Sequence, residues 1–326
     1  MSSSAAQRNQ RGNNLRRTVW LGSRLVIMVV TLGMVCAYAW AHRSGVSPLA
    51  EVRLPILVIA LILDALIYVW IALWIQGLVW PFNVRIGVYE AWLLSMATRF
   101  GNLFLPFRGG AGVRAVYLKR VHGLSYTHFL AGLAGTLVGT LLVSTVISLG
   151  GLIWLAAAGV PGMATSIGVL AWMAALLILL TVRPPRLRDP RRGLTRAVSR
   201  VLTGWRTISR NRRAITVLLL MNVAHVLTLS AIYALLLEDF DVHISWSILL
   251  VIVALGNVNA AFVITPGNVG VYEGLMAVIG RMVGVAPVTI LGVVLIWRAL
   301  DTALVLMAGW VCGSLLTRRA LRKPGG

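Results

Sequence analysis

Six runs of this chain, 19–41, 55–79, 126–158, 164–182, 215–236 and 287–313, are each at least 19 residues long and almost wholly apolar. A helix rises about 1.5 Å per residue, so about 20 residues cross the roughly 30 Å of bilayer hydrocarbon. A water-soluble core has no room for six such runs. Composition agrees: 12% of the 326 residues are charged, where a soluble chain carries about 25%. A soluble enzyme and a disordered chain are thereby excluded. The runs also lack the short apolar–polar alternation of an outer-membrane barrel. The fold class is an all-α polytopic membrane protein with about six full transmembrane helices. The 126–158 run exceeds what a crossing requires, which predicts a helix that tilts or continues beyond the bilayer.

The net charge of +21 is carried by 28 Arg and 2 Lys. It is concentrated in three places: five Arg in 1–24, eleven Arg against the single acid Asp189 in 183–213, and Arg318, Arg319, Arg322 and Lys323 in the tail. By the positive-inside rule these segments, and both termini, face the cytoplasm. The stretch 237–245 holds Glu238, Asp239 and Asp241 without Lys or Arg, and falls on the other side. Read this way, the 183–213 run marks topology and is attracted to anionic lipid; no nucleic-acid partner is expected. Trp20, Trp40, Trp80 and Trp310 lie near span ends as an interface belt. The run 19–41 is long enough to be retained as a first helix, although its basic flank and the small residues Ala37–Ala39 also suit a signal peptide. Cys36 and Cys312 lie within apolar runs and offer neither a disulfide framework nor a metal spacing.

Two apolar regions are broken in the middle. Region 88–122 is cut by Pro106, Gly109, Gly110 and Gly112, and region 246–284 by Pro266, Gly267 and Gly270. Irregular backbone at membrane depth is tolerated only where protein or a wet cavity satisfies it. The arms are too short for two crossings each, so each region predicts a re-entrant broken-helix pair. With both pairs dipping and returning, twenty-one Lys and Arg fall inside, against Arg43 and Arg53 outside. The whole chain reads as a single transmembrane domain: first helix and loop 19–54, first half 55–182, basic loop 183–213 and second half 215–313. Pro106 and Pro266 are 160 residues apart, as are Gly110 and Gly270 and the helix starts 55 and 215. The first unit dips from inside and the second from outside. That is an inverted-topology repeat, and it predicts a substrate site near the midplane where the broken helices meet.

Ionisable side chains in the membrane cost about 2.5–3.5 kcal/mol each at a helix centre, so each needs a reason. Arg99, Arg108 and Arg114 flank the first break, and Asn102 precedes it; Glu273, Asn257 and Asn259 flank the second. Arg298 and Asp301 are three apart on one helix face and can pair. Asp64 is either a helix–helix hydrogen-bonding group or a proton-coupling carboxylate, and Glu90 at the opening of the first dip is a second candidate for coupling. His225 reads as a satisfied histidine of the bundle. Segment 108–114 (RGGAGVR) has two readings: glycines and guanidiniums cradling a phosphate-bearing headgroup, or a glycine packing turn whose Arg residues mark the cytoplasmic side. No nucleophile–base set, Walker loop, metal cluster or dinucleotide fingerprint is present, so neither enzymatic activity nor a cofactor is expected.

The segment 101–125, through Asn102, Leu105, Pro106, Gly109, Gly110 and Arg114, resembles a motif of the lysylphosphatidylglycerol synthase transmembrane-region family of flippase-like proteins. Segment 265–285, through Pro266, Gly267, Gly270 and Glu273, resembles a second, and Arg298 with Asp301 a third. Many members carry an Arg…Asp pair after the first break as well; here Leu137 to Thr140 is uncharged. An acidic residue that often follows the first glycine pair is replaced by Ala111. The resemblance covers nearly the whole chain and excludes the aminoacyltransferase domain of the best-known members. It implies translocation of an anionic lipid or glycolipid headgroup without its synthesis, in a cell inner or plasma membrane, with membrane lipids as partners. The alternatives are an ion- or proton-coupled carrier of a small solute, or a non-transporting partner of a cell-envelope synthase. A homo-oligomer fits any of the three.

Overall fold

The computed structural model describes residues 52–105, 109–159, 163–182, 193–261 and 268–322. The predicted helix 19–41 lies outside them, as do Pro106, Arg108, Pro266 and Gly267. Among the described residues there are ten α-helices and no strand. The first half holds α1 (Leu54–Val79), α2 (Val88–Phe104), α3 (Gly109–His122) and α4 (Tyr126–Ala157). α5 (Met163–Val182) and α6 (Gly193–Arg210) follow. The second half holds α7 (Arg212–Asp239), α8 (Trp246–Gly256), α9 (Val271–Met282) and α10 (Pro287–Arg322). Helix, short helix, break, short helix, helix therefore occurs twice. The starts 54, 88, 109 and 126 recur at 212, 246, 271 and 287, offsets of 158, 158, 162 and 161.

Helix starts are local chemistry. Pro at the first turn of α1 costs nothing where an N–H has no partner anyway. Ser125 accepts from the backbone N–H of His128 at 3.2 Å, and Asn211 from that of Ala214 at 3.0 Å, each capping the helix it precedes. The segments Leu54–Phe82, Tyr126–Ala157, Arg212–Asp239 and Pro287–Ala320 are each long and apolar enough to cross a membrane.

Corresponding helices of the two halves run antiparallel. Arg53, just before α1, donates its backbone N–H and its Nε to Asp239 at the end of α7, at 3.0 and 2.5 Å. Trp70 Nε1 donates to Thr228 Oγ1 at 3.1 Å, and Gly77 meets Val217 near the start of α7. Positions rising along α1 meet positions falling along α7. α2 packs against α10 in the same sense, Phe100 against Gly309 and Tyr89 below Arg319. Its counterpart is the contact of α8 with α4, Val251 against Gly151. A Cβ on Gly151 would stand 2.5 Å from Val251, and one on Gly309 would stand 2.6 Å from Phe100. These glycines, again 158 residues apart, let the halves close on each other.

Each broken region is a hairpin whose two outer ends meet at one end of the bundle. Tyr117 donates to Glu90 at 2.7 Å, and His122 Nε2 lies 2.8 Å from the same oxygen. The end of α3 is thus tied to the start of α2. At that end too, Arg213 lies over Trp80 and Phe82 stacks on His128 with centroids 4.2 Å apart. The other hairpin opens at the opposite end, where Ile248 of α8 and Val283 after α9 join Leu152 and Leu155 in one apolar cluster.

Two elements differ from the sequence reading. The basic stretch 183–213 contains a helix, α6, which buries Trp205 and Ile208 with Ala131, Ala214 and Leu218. The arginine density hid an apolar stripe at Val198, Val201, Trp205 and Ile208. The last helix does not end at 313 but continues through Arg318 and Arg319 to Arg322; at 36 residues it is about 54 Å long.

α2 and α3 touch backbone to backbone. A Cβ on Gly110 would fall 1.9 Å from the Thr98 carbonyl oxygen, whereas nothing lies within 4 Å of one on Gly112. Gly110→Ala is expected to cost about 1–3 kcal/mol by overpacking and Gly112→Ala nothing measurable, read as apparent Tm in detergent. In a background freed of Cys36 and Cys312, cysteines at positions 85 and 243 are expected to react with an impermeant maleimide from opposite sides of the membrane. Labelling from the same side would overturn the two-ended arrangement.

Candidate functional site

Described residues on both sides of each break line one cavity of about 330 Å³ in the middle of the bundle. Its walls include Asp64 and Tyr68 of α1, Arg99 and Asn102 of α2, Arg114 of α3, Asn257 and Asn259 after α8, and Arg298 and Asp301 of α10. Residues from both breaks, distant in sequence, therefore share one space.

Two ion pairs stand at it, Arg99 with Asp301 across the halves and Arg298 with Glu273 within the second half. Asp301 is 3% exposed. It accepts from Arg99 Nε at 3.0 Å, from a second guanidinium nitrogen of Arg99, and from the Tyr68 hydroxyl. Arg298 Nη1 donates to Glu273 Oε1 at 2.7 Å. The other oxygen of Glu273 accepts from the backbone N–H of Gly270 at 2.6 Å, which sets a carboxylate at the N-terminus of α9, where the helix dipole favours it. Arg298 and Asp301 thus do not pair with each other, contrary to the expectation from their spacing. They share a face of α10, but that face meets α2 and α9, and each finds an opposite charge there. A bidentate or doubly bonded pair on another helix satisfies more donors than an i, i+3 neighbour can.

Other predicted residues fall in different roles. Asn102 lines the cavity, and its side-chain oxygen accepts from the backbone N–H of Gly110 at 2.9 Å. Of the two readings of 108–114, the packing turn describes Gly109 and Gly110: a Cβ on Gly109 would stand 2.3 Å from Leu105. Gly270 has φ +82° at the start of α9. Glu90 is not at the cavity; Tyr117 and His122 occupy it at the bundle end.

Several wall residues escaped the sequence reading. His225 is not a satisfied histidine: it lines the cavity, and its Nδ1 is buried without a hydrogen-bonding partner in the protein. Buried polar atoms of Asp64, Trp74, Asn257, Asn259 and Asn268, all wall residues, are in the same condition. Buried polar atoms are almost always bonded, yet six residues of this one cavity wall each keep a buried polar atom that the rest of the protein leaves unbonded. Trp297 donates to Asp64 at 2.9 Å and lies with its ring 5.9 Å from those of Tyr233 and Tyr272. The signal that could have found some of them is the repeat itself: Asp64 plus 158 is Asn222, whose side-chain oxygen accepts from the cavity residue Thr140 at 2.8 Å.

The model of the lysylphosphatidylglycerol synthase TM region matches residues 16–309. The chain belongs to this family. Comparison with curated proteins finds no match. A match across nearly the whole chain makes this a multi-pass membrane protein of a lipid-related family. Residues 101–125 and 265–285 and the Arg298/Asp301 positions all lie within the matched span, and Asn102, Ala111, Arg114, Asn268 and Tyr272 of those segments line the cavity with Arg298 and Asp301.

The cross-half pair is expected to hold the bundle together. Arg99→Gln, which strands Asp301, should cost about 3 kcal/mol, the low end for removing one partner of a buried pair because Arg99 reaches the cavity. Arg99→Gln with Asp301→Asn together should cost well under the sum of the single changes. Denaturant unfolding in mixed micelles measures both; additive losses would show that the pair contributes no coupling.

Proposed function

We propose that this protein carries an anionic lipid headgroup between membrane leaflets while the acyl chains stay in the bilayer. The observation that carries the reading is the cavity. It lies between the described ends of both hairpins, is lined by Arg99, Arg114 and Arg298, and six of its wall residues keep a buried polar atom that has no partner in the protein. Its volume is at the low end for small-molecule sites, which suits a headgroup and not a whole lipid. The family's name ties its members to a lipid synthase, and the antiparallel repetition of helices is what an inverted-topology transporter with a midplane site requires. In this reading both hairpins are re-entrant, the basic ends face the cytoplasm, the protein sits in the cell's inner or plasma membrane, and it moves its lipid without altering it.

A free small anion would fit the same space, and one assay separates the two. Proteoliposomes holding headgroup-labelled phospholipids are exposed to an external quencher. Wild type is expected to expose inner-leaflet label. Arg114→Ala, on the cavity wall, should slow this at least tenfold. Wild type silent toward anionic, zwitterionic and polyprenyl-phosphate lipids, with and without a proton gradient, would sink lipid translocation and turn the search to soluble anions.

A further inference from the structure

We propose that Asp64 is a proton-binding site of the cavity, which takes up one proton when an anionic group enters, so that charge movement through this protein is proton-coupled. Asp64 is 1% exposed in the middle of α1. Its Oδ1 accepts from Trp297 Nε1 at 2.9 Å, and its Oδ2 is buried with no partner in the protein. A buried carboxylate without a cation of its own sheds its charge rather than keep it.

The groups facing Asp64 leave it without such a cation. On α2, Arg99 is within electrostatic reach, but two of its nitrogens already bond to Asp301. On α10, Arg298 is engaged by Glu273 of α9, and Asp301 repels Asp64. The Tyr68 hydroxyl, one turn along α1, donates to Asp301. On α7, His225 lines the same cavity with an unpartnered Nδ1. On α3, Arg114 lines the same cavity, its guanidinium 5.4 Å from the Phe129 ring centroid. Two carboxylates thus compete for one guanidinium. A metal cation is not the better ligand here. Asp301, the carboxylate beside Asp64, has both oxygens taken, and no group of three or more His, Cys, Asp or Glu gathers among the described residues.

The coupling follows from charge balance. With Asp64 ionised, Arg99, Arg114 and Arg298 balance Asp64, Asp301 and, through Arg298, Glu273 among the described residues. A proton on Oδ2, taken from water in the cavity, leaves one positive charge in excess, which an entering anion neutralises. When the anion leaves, the proton returns to water, and no covalent bond of the guest changes. Linkage is reciprocal: a proton that favours the anion is favoured by it equally. Glu90, the other candidate for coupling, is excluded from this role by its place at the bundle end and its two partners there.

The link to lipid rests on the function proposed above; the proton site does not, and its test needs no transport. Infrared difference spectra of the whole protein in detergent, titrated between about pH 5 and 9, should show a protonated-carboxyl band, shifted in D2O, that disappears in Asp64→Asn. In Asp301→Asn, which frees Arg99 for Asp64, the band should titrate at least one pH unit lower. Binding of dihexanoyl-phosphatidylglycerol to wild type should tighten by up to about tenfold per pH unit of acidification, the limit for one linked proton, and should be flat with pH in Asp64→Asn. A band untouched by Asp64→Asn, or unmoved by Asp301→Asn, would overturn the site. If Asp64→Asn does not yield monodisperse protein, the Asp301→Asn shift alone decides. A titrating band with pH-independent binding would overturn the coupling. A proteoliposome assay without lipid movement, beside a titrating band, would sink the lipid reading and leave the proton site standing.

Discussion

An unpaired backbone group in hydrocarbon costs several kcal/mol, and this chain interrupts its helices at two places deep within apolar sequence. That cost governs the architecture. Described residues beside both interruptions, Asn102, Ala111, Asn259 and Asn268, line one polar cavity together with residues of the long helices α1, α4, α7 and α10. The cavity is thus a consequence of where the helices break.

The two halves share a plan but not a chemistry. Under the repeat, Asp64 corresponds to Asn222, Arg99 to Asn257, Leu137 to Arg298 and Thr140 to Asp301. One side of the cavity therefore carries Asp64, Asp301 and Arg99, while the symmetry-related side carries Asn222, Thr140 and Asn257. The neutral set reproduces part of the geometry, since Thr140 donates to Asn222. A fully charged copy would add a further buried ion pair to Arg99–Asp301 and Arg298–Glu273, at a desolvation penalty of several kcal/mol per ion. Leaving these positions neutral keeps a polar lining without that cost.

How much of this was legible in the sequence follows from what sequence encodes locally. The long apolar helices, and the helix ends beside the two interrupted regions, were readable because bilayer thickness fixes helix length and because Pro and Gly mark interruptions whatever surrounds them. The ends of α2, α3, α8 and α9 fall within the predicted regions for the same reason. Partner choice was not readable. Arg298 and Asp301 look like a pair in one dimension, but in three the same face of α10 meets Glu273 and Arg99, and cross-helix geometry wins. His225 looked like a packing residue because a lone histidine in an apolar run carries no period. Its exposure to the cavity depends on α7 lying against α1. α6 was missed because eleven arginines read as a signal of topology, although its apolar stripe recurs every three or four residues.

The pairing of the cavity arginines bears on how a guest is held. An anion that met bare guanidiniums in a dry site would bind too tightly to leave, and passage requires a site favourable enough to enter and weak enough to vacate. Here Arg99 and Arg298 already have carboxylates, so an anion that takes over the bonded nitrogens displaces Asp301 or Glu273. Each contact formed is offset by one given up. The displaced Glu273 keeps its bond from the Gly270 backbone, and a displaced Asp301 keeps the Tyr68 hydroxyl but loses its cation. Exchange among partners, in place of simple addition, gives a shallow well in a polar cavity, and a shallow well is what a site emptied from either side demands.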